Sequence, residues 1–273
     1  MNKLENKPEL SVIIPTLNEE KHLPILLKSL KSNIKDIDAE VIIVDANSKD
    51  KTIQIARESK IKNMRTFVLR KKKGPAYQRN YGASKAKAPW LLFLDADVIL
   101  EKNFLPRALK EMEERKLDAT TCYSRTRNTG PWEAFIYGFA NLWMRFFEKY
   151  RPYAQCCIFM KKEIHDKIRG FDERISFGED SEYVERAKKK ANARFRILNK
   201  DLRFIISPRS FKKYGKISQT FTFIYLNLSR TFGRERKKKE SPGEVYEKFK
   251  QIEPTEIKEK IKTGLKESFG NGA

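Results

Sequence analysis

Several kinds of protein are excluded by what this chain has little of. Cysteine occurs only at Cys122, Cys156 and Cys157, an odd number without metal-ligand spacing. A disulfide-stapled scaffold is therefore ruled out, and core packing in a reducing compartment is the expected role. No uninterrupted apolar run approaches the ~20 residues that a spanning helix needs, so the chain is expected to touch a membrane at most and not to cross it. The opening stretch, Met1 to Glu9, is short and charged and lacks the apolar segment of a signal peptide, which places the protein inside the cell by expectation. No internal repeat is found.

Acidic residues are scarce beside basic ones. There are 36 Asp and Glu against 58 Lys and Arg, giving a net charge of +22 and a pI near 9.8. Such a balance implies an anionic partner by long-range attraction, whether nucleic acid, anionic lipid or nucleotide phosphate. A nucleic-acid module is the non-enzyme alternative, but the aromatic-and-glycine signatures of common RNA modules are missing. At 273 residues the chain has room for one large α/β domain and an appendage.

What is present is organised around Trp90-Leu91-Leu92-Phe93-Leu94, followed at once by Asp95-Ala96-Asp97. Five large apolar residues read as a strand buried on both faces of a sheet. Two carboxylates at its carboxyl end stand where open α/β sheets bind ligands. A turn there can aim both at one hard divalent cation, Mg²⁺ or Mn²⁺; a plain polar strand-end turn is the competing reading.

Upstream, Leu10 to Pro15 is a short apolar strand, and Asn18 is expected to cap a helix with Glu19 and Glu20 in its first turn and Leu23, Leu26, Leu27 and Leu30 as its stripe. Val41 to Val44 is a second strand, followed by a turn from Asp45 to Asp50 and a helix to about Lys60. Met64 to Leu69 is a third strand, and a helix carrying Gln78, Arg79, Asn80 and Gly82 ends near Lys87. This alternation predicts a parallel sheet with right-handed crossovers.

The motifs Val-Ile-Ile-Pro-Thr-Leu-Asn-Glu-Glu at 12 to 20, Val-Ile-Ile-Val-Asp-Ala-Asn-Ser-Lys-Asp-Lys-Thr at 41 to 52, and Arg79-Asn80 with Gly82 ahead of Leu94-Asp95-Ala96-Asp97 resemble the family 2 glycosyltransferases of GT-A fold. The resemblance covers about residues 10 to 205. It implies an α/β, Rossmann-like domain with a mostly parallel central sheet and helices on both faces, and a site for a UDP- or GDP-linked sugar. By that resemblance Pro15, Thr16, Glu19, Asp45, Arg79, Asp95, Ala96 and Asp97 bind the donor, with Asp45 accepting from the base. Asp97, with Asp95, would hold the divalent cation bridging the diphosphate. Ala46-Asn47 departs from the acidic residue and glycine of many relatives and leaves the base preference open.

Farther on, Phe104 to Lys116 reads as an amphipathic helix, Ala119 to Tyr123 as one strand, and Tyr153 to Met160 as the strand returning to the sheet. Trp132, Phe135, Ile136, Phe139, Leu142, Trp143, Phe146, Phe147 and Tyr150 are expected on one broad helix face, suited either to a bilayer interface or to packing on the core or a partner subunit. Lys161 to Ile168 reads as a short helix stopped by Gly170, with His165 an ordinary helix-surface residue rather than a third metal ligand. Gly178-Glu179-Asp180 opens another helix. The resemblance implies that Asp180 is the general base of an inverting transferase and that Glu179 neighbours the acceptor.

The expected organisation is a tail over 1–9, a catalytic domain over 10–207 with its donor half to about 100, and a basic amphipathic helical extension over 208–273. In that extension, ten Lys or Arg lie between 209 and 239 around an aromatic run, a plausible anchor on an anionic leaflet or else a solvated helix. Helices are expected after Ser241 and Thr255. The function implied is inverting transfer to an acceptor hydroxyl on a membrane-borne or lipid-linked glycan, at the cytoplasmic face of the cell membrane. A polyprenyl-phosphate acceptor is the alternative.

Overall fold

The computed structural model describes residues 7–71, 74–126, 130–175 and 178–207. The extension over 208–273, with its expected anchor and helices, lies outside the described residues. Contacts divide the chain into two units, one of residues 1–127, 137–173 and 179–207, the other of 128–136, 174–178 and 208–273.

The elements run β1 (Leu10–Thr16), α1 (Leu23–Asn33), β2 (Ala39–Asp45), α2 (Thr52–Glu58), β3 (Met64–Val68), α3 (Pro75–Lys85), β4 (Trp90–Leu94), β5 (Val98–Leu100), α4 (Phe104–Glu114), β6 (Ala119–Thr121), β7 (Tyr123–Thr126), α5 (Pro131–Phe147), β8 (Cys157–Lys161), α6 (Lys162–Lys167), α7 (Glu179–Ala191), β9 (Phe195–Ile197) and β10 (Arg203–Ile206). Seven strands form the main sheet in the order β3-β2-β1-β4-β8-β6-β9. The β3-β2-β1-β4 part is parallel, as the βα alternation requires, whereas β8 runs antiparallel between β4 and β6. The architecture is thus α/β with a mostly parallel sheet.

The apolar run of β4 is explained by two cores, one on each sheet face. Leu92 and Leu94 join Leu23, Leu26 and Leu30 of α1 on one side, while Leu91 and Phe93 join Phe171 and Tyr183 on the other. Each such fully buried side chain contributes about 1.5–3 kcal/mol relative to exposure. Helix α3 lies close on the sheet because Gly82 lets it: a Cβ there would stand 2.4 Å from Cγ2 of Ile13.

Three expectations are corrected. Helix α1 starts at Leu23 with Pro24 in its first turn, not after Asn18. Proline suits that position because its missing N–H is an orphan there anyway. Asn18 instead takes a positive φ of 55° and clasps the following loop, accepting from Lys49 N at 2.9 Å and donating its own N–H to Ser48 Oγ at 2.8 Å. The segment from Ala119 to Tyr123 is two strands. Thr121 still faces Ile158 and Ile197 in the main sheet, whereas Tyr123 pairs with Arg203 in a second, three-stranded sheet of order β5-β10-β7. The returning strand begins at Cys157, later than Tyr153.

The broad apolar face expected on α5 is covered unevenly. Ile136, Ala140 and Met144 are buried, but Trp132, Phe135, Phe139, Leu142 and Phe146 are exposed. Glu133, Asn141 and Arg145 fall elsewhere on the helix, and only part of the apolar face is covered among the described residues.

Candidate active site

The polar loops after β1, β2 and β4 meet at one edge of the main sheet. Thr16 and Asp45 are direct neighbours in the β1–β2 register, and Thr16 Oγ1 donates to Asp45 Oδ2 at 2.8 Å. Ser48 donates its N–H to Asp45 Oδ1 at 2.7 Å and its hydroxyl to Oδ2 at 2.5 Å. Asp45 is fully buried, so its carboxylate fastens the two loops together. Gln78 on α3 locks the same strand ends, its Nε2 donating to Thr16 O at 2.9 Å and to Val44 O at 2.7 Å. Glu19, also buried, has Oε2 3.1 Å from Nδ1 of His22 and holds its own N–H on Thr52 Oγ1 at 2.7 Å. Pro15 is half-buried at the end of β1, and Ala96 is buried in the turn after β4.

Arg79 is the electrostatic centre. It stands on α3 one residue after Gln78, is almost wholly buried, and lies 5.3 Å above the Phe171 ring. Its Nη2 donates to Asp95 Oδ1 at 2.7 Å and its Nη1 to Glu179 Oε1 at 3.0 Å. Nη1 also stands 3.0 Å from Asp180 Oδ1. Burial disfavours the guanidinium charge, but Asp180, Asp95 and Glu179 outweigh it and hold Arg79 firmly protonated. One cation thus joins the end of β4 to the start of α7.

Asp180 is held at that helix start, where the dipole favours a carboxylate. Its Oδ2 accepts from Cys156 N at 3.3 Å, while Oδ1 is ion-paired to Arg79 but receives no hydrogen bond among the described residues. Burial pushes its pKa up to about 7, against the pull of Arg79, and Glu179 and Asp95 add to the rise. An Asp poised there exchanges a proton readily at neutral pH.

Cys122 and Cys157 are buried, and Cys156 is partly buried and packs against the core, as expected, while also meeting the site at Asp95. Its carbonyl accepts from Asp95 N at 3.0 Å, and its φ is positive at 44°. Burial raises its thiol pKa, and Asp95, Asp97 and Asp180 raise it further. All three carboxylates thus act on the Cys156 thiol in the same direction.

Asp95 and Asp97 are oxygen donors of the kind a hard divalent cation takes, and Asp95 is also paired with Arg79. No group of three His, Cys, Asp or Glu able to hold an ion is found among the described residues. An ion there would complete its shell with water and diphosphate oxygens, as Mg²⁺ and Mn²⁺ readily do. His165 is in no such group among the described residues, and it is not on the helix surface. It is buried, with Nδ1 2.7 Å from the Tyr183 hydroxyl and its ring stacked 5.6 Å from Phe93, and burial lowers its pKa to about 4. Helical spacing over so short a helix cannot tell a covered side from an open one.

Gln78 and Asn80 flank Arg79 and were not singled out as functional from the sequence. Asn80 Nδ2 donates to Phe171 O and Glu173 Oε1, both at 3.0 Å, and its Oδ1 accepts from Phe171 N at 2.7 Å, fixing the Gly-Phe-Asp-Glu segment. Their presence beside a site arginine was the available signal.

Residues 11–169 match the family described as Glycosyl transferase family 2. The chain is 37% identical over 120 residues to 4,4'-diaponeurosporenoate glycosyltransferase of Staphylococcus haemolyticus, covering 41% of this chain and 30% of that protein. It is 35% identical over 111 residues to poly(ribitol-phosphate) beta-N-acetylglucosaminyltransferase TarS of Staphylococcus aureus, covering 40% of this chain and 19% of that one. The chain thus spans under a third of the length of these two relatives. Among solved structures, the mannosyltransferase PcManGT from Pyrobaculum calidifontis, in complex with GDP-Man and Mn²⁺, superposes with TM-score 0.63 at 18% identity, covering 98% of this chain and 77% of that chain. TarS 1–349 of S. aureus in complex with UDP-GlcNAc gives TM-score 0.58 at 21% identity, covering 88% of this chain and 71% of that chain. These structures share the fold, and the match over more than half its length shows that the chain belongs to glycosyl transferase family 2.

Proposed function

We propose that the chain is an inverting transferase that moves a sugar from a UDP- or GDP-linked donor to an acceptor hydroxyl, with Asp180 as base. The single observation that carries this reading is the Arg79 cluster, in which Asp95 and Asp180 share one buried cation. It supports the reading because Asp95 and Asp180, the latter with a pKa pushed up to about 7, both pair with one guanidinium and so lie close to each other. Asp180 Oδ1 has hydrogen-bonding capacity to spare and can accept the acceptor's O–H. An acceptor hydroxyl is a weak nucleophile, and a base so placed is worth roughly 10² to 10⁴ in rate. The acceptor oxygen then displaces the nucleoside diphosphate in one step, inverting the anomeric carbon.

Asp97, with Asp95, would hold a divalent ion, which when bound offsets charge developing on the departing diphosphate. Thr16, Glu19, Asp45 and Pro15 line or brace the donor side, Asp45 by setting the shape of the loops. Glu179 faces the acceptor. The acceptor is a membrane-borne or lipid-linked glycan at the inner face of the cell membrane; the poly(ribitol-phosphate) named for one relative supports an anionic acceptor, and the chain's net charge of +22 favours one. A thermal-shift series with UDP- and GDP-sugars and Mn²⁺ tests the donor half. Stabilisation by one donor, with an inverted product by NMR, is expected; no stabilisation by any nucleotide sugar would contradict the reading.

A further inference from the structure

Outside the catalytic cluster, a cavity of about 590 Å³ is lined by Arg115, Arg145, Phe146, Lys149, Arg196 and Lys200, among others. Five cations face it against one carboxylate, Glu148. Glu148 is already engaged, its Oε1 accepting from Ile197 N at 2.8 Å. Arg115 is paired with Glu111, and Arg196 donates to Phe195 O at 2.9 Å, but Arg145, Lys149 and Lys200 have no carboxylate partner among the described residues. A further cation, Lys188, donates to the carbonyl of Lys149. Its pKa is lowered by burial and then by Arg196, as expected where positive charges crowd.

Phe146 connects this cavity to the uncovered side of α5. It is 73% exposed, and Leu142 and Phe139 precede it at helical spacing, with Leu142 63% exposed. Phe135 and Trp132 continue the same spacing towards the helix start, and both are exposed. An apolar row of this kind, ending in a pocket where cations outnumber carboxylates five to one, matches the two layers of a bilayer interface: acyl chains for the row, phosphates for the pocket.

The location is apt as well. Phe93 faces Ile158, Ile158 faces Thr121, and Thr121 faces Ile197, so Ile197, which lines the cavity, stands level with Phe93, two residues before Asp95, three strands along. At ordinary strand spacing that is about 14 Å.

We infer that the outer row of α5 and the adjoining cationic cavity form a docking surface for an anionic phospholipid bilayer, with the cavity taking a lipid phosphate and Phe146 and Leu142 entering the acyl boundary. This deepens the proposed membrane-borne acceptor by naming the surface that meets its membrane, and it is tested by lipid binding rather than turnover so that either can fail alone.

The experiment is vesicle co-sedimentation of the full chain, with phosphatidylcholine alone and with phosphatidylglycerol added. Binding is expected only with the anionic lipid. It should fall about tenfold or more in Arg145→Gln/Lys149→Gln and in Leu142→Ser/Phe146→Ser, all exposed or partly exposed positions whose melting temperatures should stay unchanged. Because other basic segments could retain some binding, a Phe146→Trp variant reads the surface itself: brominated acyl chains should quench its added fluorescence. Absence of that quenching, equal binding to neutral vesicles, or variants that bind like the parent would overturn the inference. So would a lipid-free dimer that Phe146→Ser dissolves, since a second copy would then cover the row. Intact donor binding beside failed vesicle binding would remove this surface and leave the transferase reading standing; the reverse would do the opposite.

Discussion

Nη1 of Arg79 stands 3.0 Å from Oδ1 of Asp180, although the two lie 101 positions apart and on different helices. The same guanidinium holds Asp95 and Glu179, so three carboxylates depend on one cation. Removing one partner of a buried ion pair leaves uncompensated charge and typically costs about 3–5 kcal/mol. Arg79→Met is expected to destabilise the protein by about 3 kcal/mol, read by urea denaturation. Adding Asp180→Asn should recover part of the loss; strict additivity would show that the two do not interact.

The pH dependence of the rate follows from the same cluster. With its pKa near 7, Asp180 is largely protonated below neutrality and cannot accept a proton. kcat/KM should therefore fall about tenfold per unit as pH drops below about 7. A rate flat from pH 5 to 8 would exclude Asp180 as base.

Stability should carry two opposing pH contributions. Asp180 has a folded pKa of about 7 against an ordinary value of 3.8, so between them the folded state binds more protons and stability is lost as pH rises. His165 has a folded pKa of about 4 against 6.5, so its contribution is lost as pH falls through that window. In metal-free buffer, Asp180→Asn should abolish the first contribution only. NMR titration should show the His165 ring still neutral at pH 5.

Gly82 makes a purely steric prediction. The added methyl of Gly82→Ala would meet Ile13 Cγ2 at 2.4 Å, well inside contact distance. The cost expected from forced repacking is about 1–3 kcal/mol, measured by denaturation. Ile13→Ala removes that methyl, so the double variant should lose less than the sum of the singles.

Local pattern was enough to read the strands ending at Thr16, Asp45 and Leu94, because an apolar run buried on both faces is written directly in the residues. It was not enough for α5, where the apolar face is broad and only packing decides that Met144 is covered and Phe146 is not. Asn18 carried a capping signal, yet Pro24 set the start of α1, and the spare asparagine serves a left-handed loop. His165 and Arg79 show a further limit: a helix period gives a direction but not the partner met there, and their partners, Tyr183 and Asp180, come from α7 far along the chain.

The central claim is a division of labour between Asp97 at the donor and Asp180 at the acceptor. It is tested most directly by measuring Mn²⁺-dependent donor binding and turnover together in Asp97→Ala and Asp180→Asn. Both variants should lose turnover, but only Asp97→Ala should lose metal-dependent donor binding. Turnover retained by Asp180→Asn, or donor binding lost equally in both, would contradict the account.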